Sequence, residues 1–157
     1  MADRSNIETF NTLAALVFEQ LYEEFPVPVM LDNDEIAQSL GVQGYTVREA
    51  PGFPGSKIVT DYGELLDGSS FRQFYQAALT WLQDEGLVRE PEDRHFVLTS
   101  AALTALNAQP DALKEPLGKR LQGVAGKATS EAGRAAIAEA VGQVIGVAFR
   151  HFLGGST

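Results

Sequence analysis

Residues 78–106 read ALTWLQDEGLVREPEDRHFVLTSAALTAL, and a change of period inside this stretch decides the architecture. Before Gly86 the apolar residues recur at helical intervals. After it they alternate or run together in short groups, as strands do. Residues 87–89 and 95–98 read as the arms of a hairpin around the turn-forming Glu90-Pro91-Glu92-Asp93-Arg94. Thr99 then caps a helix reaching about Asn107.

Upstream, Ser70 and Gln73 open the helix that ends at Gly86, with Phe71, Phe74, Ala78, Trp81 and Leu82 as its apolar face. The chain begins with a capping-box spacing, Ser5 and Glu8, followed by Ile7, Phe10, Ala14, Val17, Leu21 and Phe25 on one helical face. Pro26 and Pro28 stop that helix, leaving residues 27–31 as a short strand. Asp32-x-x-Glu35 opens a short second helix carrying Ile36, Ala37 and Leu40, which Gly41 ends. About thirty residues then separate Leu40 from Ser70. Within them, 45–49 and 57–62 flank Ala50-Pro51-Gly52-Phe53-Pro54-Gly55, so a β-hairpin inserted at about 44–66 is expected. Downstream, Pro110 and Pro116 break the chain before a Gly/Ala-rich helical region from about Lys119 to Leu153, with Ser130-Glu131 as an internal helix start.

The order of these parts resembles the winged helix-turn-helix superfamily of bacterial regulators. The segments carrying the likeness are DNDEIAQSLG, FRQFYQAALTWLQDEGLV, the charged turn, and RHFVLTSAALTAL. The resemblance covers roughly residues 5–107 and departs from the family where the hairpin separates its second and third helices. It implies a mainly α (α+β) protein: a winged-helix-like domain at 1–109, then a C-terminal helical extension at 110–157 packing on it or on a second subunit. It also implies a DNA-contacting set, Arg72, Gln73, Gln76, Arg89 and Arg94, on the third helix and the wing.

Charge opposes that last implication. The 157 residues carry 12 Lys+Arg against 21 Asp+Glu, a net charge of -9. The deficit is uneven: residues 1–99 hold six basic and 17 acidic side chains, net -11, whereas 100–157 hold six and four, net +2. Residues 32–41 have no basic side chain, 71–85 have only Arg72, and the wing sets Arg89 and Arg94 against Glu90, Glu92 and Asp93. Phosphate neutralisation supplies most non-specific DNA affinity, and each element expected to meet a duplex is net negative. A protein partner is therefore the first expectation, with a DNA-binding regulator as the alternative. Tyr45, Phe53 and Tyr62 are the candidate partner contacts on the inserted hairpin, because aromatics anchor interfaces. Their ordinary role would be to pack the insertion down.

Little in the sequence signals chemistry. No Cys is present, which excludes disulfides and thiolate catalysis. Neither His95 nor His151 has a ligand cluster beside it in sequence, and no phosphate-binding loop, H-E-x-x-H or G-x-S-x-G occurs. A non-enzyme without metal or cofactor is expected. The first ten residues lack the pattern of a secretory signal, which makes the cytoplasm the expected compartment.

The last helix carries an apolar stripe of Ile137, Val141, Val144, Ile145, Ala148, Phe149 and Phe152. Beside it Ala138, Gly142 and Gly146 form a small-residue ridge, the candidate self-association surface of a homodimer. Packing against the first helix is the intramolecular alternative. Glu139, Gln143, Arg150 and His151 interrupt the stretch, so stable membrane insertion is not expected. Surface association through this helix remains a third reading, which its sparse basic residues, Arg134 and Arg150, disfavour.

Overall fold

The computed structural model describes residues 6–65, 68–107 and 116–154, without the side chains of 43–48, 57–61, 125 and 151–154. Helix α1 (Asn6–Glu24) is the centre of the molecule. Thr12 through Phe18 are buried without a break, so the helix has no solvent face over two turns. The Thr12 hydroxyl donates to the Glu8 carbonyl at 3.1 Å, which satisfies a polar group that burial would otherwise penalise. The expected cap, Ser5, lies outside the described residues.

The strand expected at 27–31 shrinks to one antiparallel bridge. Val29 N–H donates to Phe96 O at 3.0 Å, and Phe96 N–H returns to Val29 O at 2.8 Å. Pro26 and Pro28 have no N–H to extend a ladder, which explains the reduction. Helix α2 (Asn33–Ser39) follows, with Asp32 Oδ1 accepting from Glu35 N–H at 3.0 Å. The reciprocal half of the capping box does not form. Instead, Gln20 of α1 accepts from Asp32 N–H at 2.8 Å and donates to the Glu35 carboxylate at 3.2 Å. One glutamine thus fastens the start of α2 to the central helix.

Strands β1 (Gln43–Ala50) and β2 (Phe53–Glu64) form the inserted antiparallel hairpin, both longer than their sequence patterns. Tyr45 stands opposite Tyr62, and a bridge between Glu64 and Ser70 ties the hairpin base to the next helix. That helix, α3 (Phe71–Asp84), is capped by Ser70 Oγ, which accepts from Gln73 N–H at 3.4 Å. It turns out through Gly86 at φ 74°, where a left-handed backbone favours glycine.

Strands β3 (Val88–Glu92) and β4 (His95–Leu98) form a second two-stranded sheet. Its turn is tighter than the five residues expected, because only Asp93 and Arg94 separate the strands. Pro91 belongs to β3. It sits where the register is irregular, between Arg89 and Glu92, so its missing N–H removes no ladder bond. Thr99 caps helix α4 (Ser100–Asn107), accepting from Ala102 N–H at 3.2 Å while its own hydroxyl donates to Gly86 O at 2.6 Å.

The C-terminal region folds as α5 (Leu117–Arg120), α6 (Val124–Lys127) and α7 (Glu131–Gly154). Ser130 Oγ accepts from Gly133 N–H at 3.0 Å, which makes Ser130 the start of the last helix, as its sequence suggests. Helix α7 packs on α1 and α4, burying Ile137, Ala140, Val141, Val144 and Ala148 in the same core that contains Leu13 and Phe71. The expected stripe is corrected at its edge. Phe149 is 41% exposed and Ile145 only partly buried, each one residue further round than the buried line, while Ala140 joins that line. By length and composition, residues 131–150 are the one described helix able to cross a membrane.

The glycines of α7 have opposite surroundings. A Cβ on Gly133 would stand 1.9 Å from the Lys127 carbonyl oxygen, whereas one on Gly142 or Gly146 would meet nothing within 4 Å. Gly133→Ala should therefore destabilise the fold by about 1–3 kcal/mol through overpacking. Gly142→Ala should stabilise it by about 1 kcal/mol through helix propensity. Urea denaturation of the two variants reads the opposite signs directly.

Glu19 of α1 offers a pH-dependent counterpart. Its Oε1 accepts from Gly123 N–H at 3.2 Å, while Oε2 is buried without a partner. Burial raises its carboxyl above the ordinary value, with Glu23 and Glu35 adding repulsion and the bond from Gly123 opposing it. A raised folded-state value favours the protonated form. This contribution to stability is complete at pH below the unfolded value and is lost as pH rises through the folded one. Glu19→Gln should thus gain more stability at pH 7 than at pH 4, measured as the shift in melting temperature relative to the parent chain.

Candidate functional site on the third helix

Helix α3 has its inner face in the core through Phe71, Ala78, Leu79 and Leu82. On either side of that buried line lies a concavity of different chemistry.

On one side, α3, the β3–β4 turn, residues 30–33 and the end of β2 enclose a cleft of about 630 Å³. Its floor is aromatic. Tyr62 meets Phe71 edge-on at 5.1 Å between ring centroids, and Phe71 lies tilted against Tyr75 at 5.6 Å. The Tyr62 hydroxyl donates to the Asp34 carboxylate, which joins the hairpin to α2. Burial, reinforced by that carboxylate, pushes the Tyr62 phenol well above the ordinary tyrosine value. Burial alone pushes Tyr75 up to about 12, and its hydroxyl has no hydrogen-bond partner among the described residues.

Arg72, Gln76 and Arg94 line the same cleft, so three of the five residues named for DNA contact come together. Gln73 belongs to a shallower surface with Ala77, Thr80, Trp81 and Asp84, and Arg89 lines neither. The three arginines are exposed, but Asp84, Glu90, Glu92 and Asp93 are exposed among them. No continuous basic stripe results.

The aromatic trio of the insertion is divided. Tyr62 lines the cleft, whereas Phe53 is 69% exposed at the other end of β2. Nine residues of extended chain place them roughly 30 Å apart along the strand. The Tyr45 side chain lies outside the described residues. Tyr62 therefore serves to pack the hairpin base onto α3, and Phe53 is separate from that role.

On the opposite side, α1 and α3 form an apolar groove of about 390 Å³ lined by Ile7, Phe10, Phe74, Ala77, Ala78 and Trp81. Phe10 and Trp81 meet edge-to-face at 5.2 Å, yet Ile7 is 73% and Trp81 38% exposed. The sequence reading placed Phe74 and Trp81 on the core face. Their four-residue company of Phe74, Ala77, Ala78 and Trp81 at i, i+3, i+4 and i+7 marks a second apolar line beside it, facing a groove instead.

The self-association candidates lie elsewhere. Gly142 is exposed, Ala138 and Gly146 partly so, on the side of α7 away from its buried line. Among the described residues, no group of three or more His, Asp or Glu is placed to hold a metal ion. No family model matches the chain, and no curated protein or solved structure is significantly similar to it.

The β3–β4 turn itself is strained at one residue. Arg94 has φ 61°, and its N–H is held by the Glu90 carboxylate at 2.9 Å. A non-glycine residue in this region costs on the order of 1 kcal/mol or more. Arg94→Gly should stabilise the chain by about 1 kcal/mol and Arg94→Val should destabilise it, both read from the denaturation midpoint.

Proposed function

We propose that this chain is a non-catalytic, winged-helix-like interaction module that docks an apolar protein segment flanked by basic residues. Support for the fold reading is the order of α1, the bridging segment, α2, α3 and the β3–β4 hairpin, with the bridge at Val29 and Phe96 adding a third chain to the wing. Support for a protein partner is the apolar groove between α1 and α3, where Ile7 and Trp81 remain in contact with water. Contiguous apolar surface of this kind marks binding sites. Asp84 stands beside Trp81 at the edge of the surface, and the first 99 residues carry a net -11, so complementarity favours a basic-flanked segment. The same charge disfavours a duplex over Arg72, Arg89 and Arg94.

Trp81 is the only tryptophan of the chain, so its fluorescence reports the groove alone. Peptides selected from a random library on the full-length protein should carry an apolar core with Lys or Arg at its flanks, and should shift Trp81 emission to the blue. Ile7→Asp should abolish the shift. Selection of acidic peptides, or binding indifferent to Ile7→Asp, rejects this reading. Gel retardation of duplex DNA at low salt that weakens as salt rises would establish the regulator alternative instead.

Self-association along α7 is a second reading, favoured by the open space over Gly142 and Gly146 and the exposed Phe149 ring. Such a dimer sediments at twice the 16.9 kDa of the chain, and Gly142→Leu returns it to the monomer mass. A parent chain that sediments at the monomer mass at micromolar concentration removes this reading.

A further inference from the structure

The wing-side cleft has a chemistry that the apolar groove lacks, and it need not share an occupant with it. Its aromatic lining is the part-exposed Tyr75 with the nearly buried rings of Phe71 and Phe96, and its volume of about 630 Å³ is in the ordinary range for small organic ligands. The charges around it are not equally available. Glu90, the one carboxylate in the lining, already accepts from Arg94 N–H at 2.9 Å. The Arg94 guanidinium has only a loose pairing with Asp93 at 4.0 Å. Arg72 makes no hydrogen bond or ion pair among the described residues. It also stands in the first turn of the 14-residue α3, where the helix end itself favours negative charge.

We propose that this cleft binds a small amphipathic organic anion, its apolar body over Phe71, Tyr75 and Phe96 and its single acidic group at Arg72. The surroundings select for size as well as charge. Asp34 and Asp32 act on Tyr62 at one wall of the cleft, and Asp93 lies 4.0 Å from Arg94 at another. A nucleic-acid backbone brings a run of charges past these carboxylates, whereas a compact anion presents one acidic group to Arg72. A cationic ligand of the same shape would meet Arg72 and Arg94 directly. A guanidinium with no partner among the described residues also accounts for the acidic group: it can pair a carboxylate or a phosphate monoester in the same bidentate way.

Calorimetric titration of the full chain with 2-naphthoate, neutral 2-naphthamide and cationic 2-naphthylmethylammonium separates shape from charge. Naphthoate should bind saturably and about tenfold more tightly than the amide, the advantage of one charge-assisted pairing. Arg72→Gln, at an exposed position, should reduce naphthoate to the level of the amide and leave the amide unchanged. Trp81→Ala, in the other groove, should alter neither. A phenyl phosphate titration distinguishes the head groups: preference for it over benzoate assigns a phosphate monoester, and the reverse a carboxylate. Equal affinity for naphthoate and naphthamide, preference for the cation, or indifference to Arg72→Gln would each overturn the proposal. So would the absence of saturable binding up to millimolar concentration. Displacement of naphthoate by a short duplex would assign the cleft to nucleic acid.

Discussion

The burial of α1 on every side is the constraint from which the rest of this structure follows. Residues Thr12 through Phe18 have essentially no exposed surface, so several elements must combine to cover that cylinder. An amphipathic helix needs one neighbour. A helix apolar all round needs a complete jacket. Helices α2, α3 and α5–α7 and strand β4 supply it, and the C-terminal helices thereby share the core of the first hundred residues. The net charge of the two regions differs greatly, yet their packing does not separate along that line.

Polar fastenings then fix the jacket at a few points. Gln20 holds both the first N–H and the second carboxylate at the start of α2, and Glu19 holds Gly123 between α5 and α6. Thr99 does the same between the end of α3 and the start of α4. These bonds join elements distant in sequence, so each converts general apolar burial into a particular arrangement. The carboxylate of Glu19 shows the cost of such a fastening: one of its oxygens is stranded in the core, beside other acids.

Because α3 contributes its Phe71–Leu82 line to the jacket, its flanks remain outside. One flank borders α1 and is apolar; the other borders the β3–β4 hairpin and combines aromatic rings with arginine. The inserted hairpin closes the second by leaning Tyr62 on Phe71 and bonding to Asp34. The insertion thus builds a wall of the cleft, which a short turn between α2 and α3 would lack. Asp93 and Glu90 both contact Arg94, so the positive charge at that turn is offset by carboxylates. Isolated arginines suit a small anion better than a continuous phosphate chain.

Local sequence determined where the helices of this protein begin and end. Asp32, Ser70, Thr99 and Ser130 each accept a backbone N–H at a helix start, and Gly86 turns the chain after α3, because caps and turns are decided within a few residues. The hairpins were equally legible from alternation and turn residues, apart from Pro91, whose place in β3 depends on a register irregularity that only the partner strand creates. Tertiary structure decided which apolar residues are core. Trp81 and Phe149 belong to apolar faces by period yet are exposed, and Phe74 is only partly buried, because a helical period specifies a face and not what covers it. It likewise decided that Tyr62 and Phe53 part company, and that Arg72, Gln76 and Arg94 share a cleft with Tyr75 and Phe96. Those residues meet only because α3 and β4 are held against one buried helix and the β1–β2 hairpin leans on α3, and no spacing along the chain encodes that meeting.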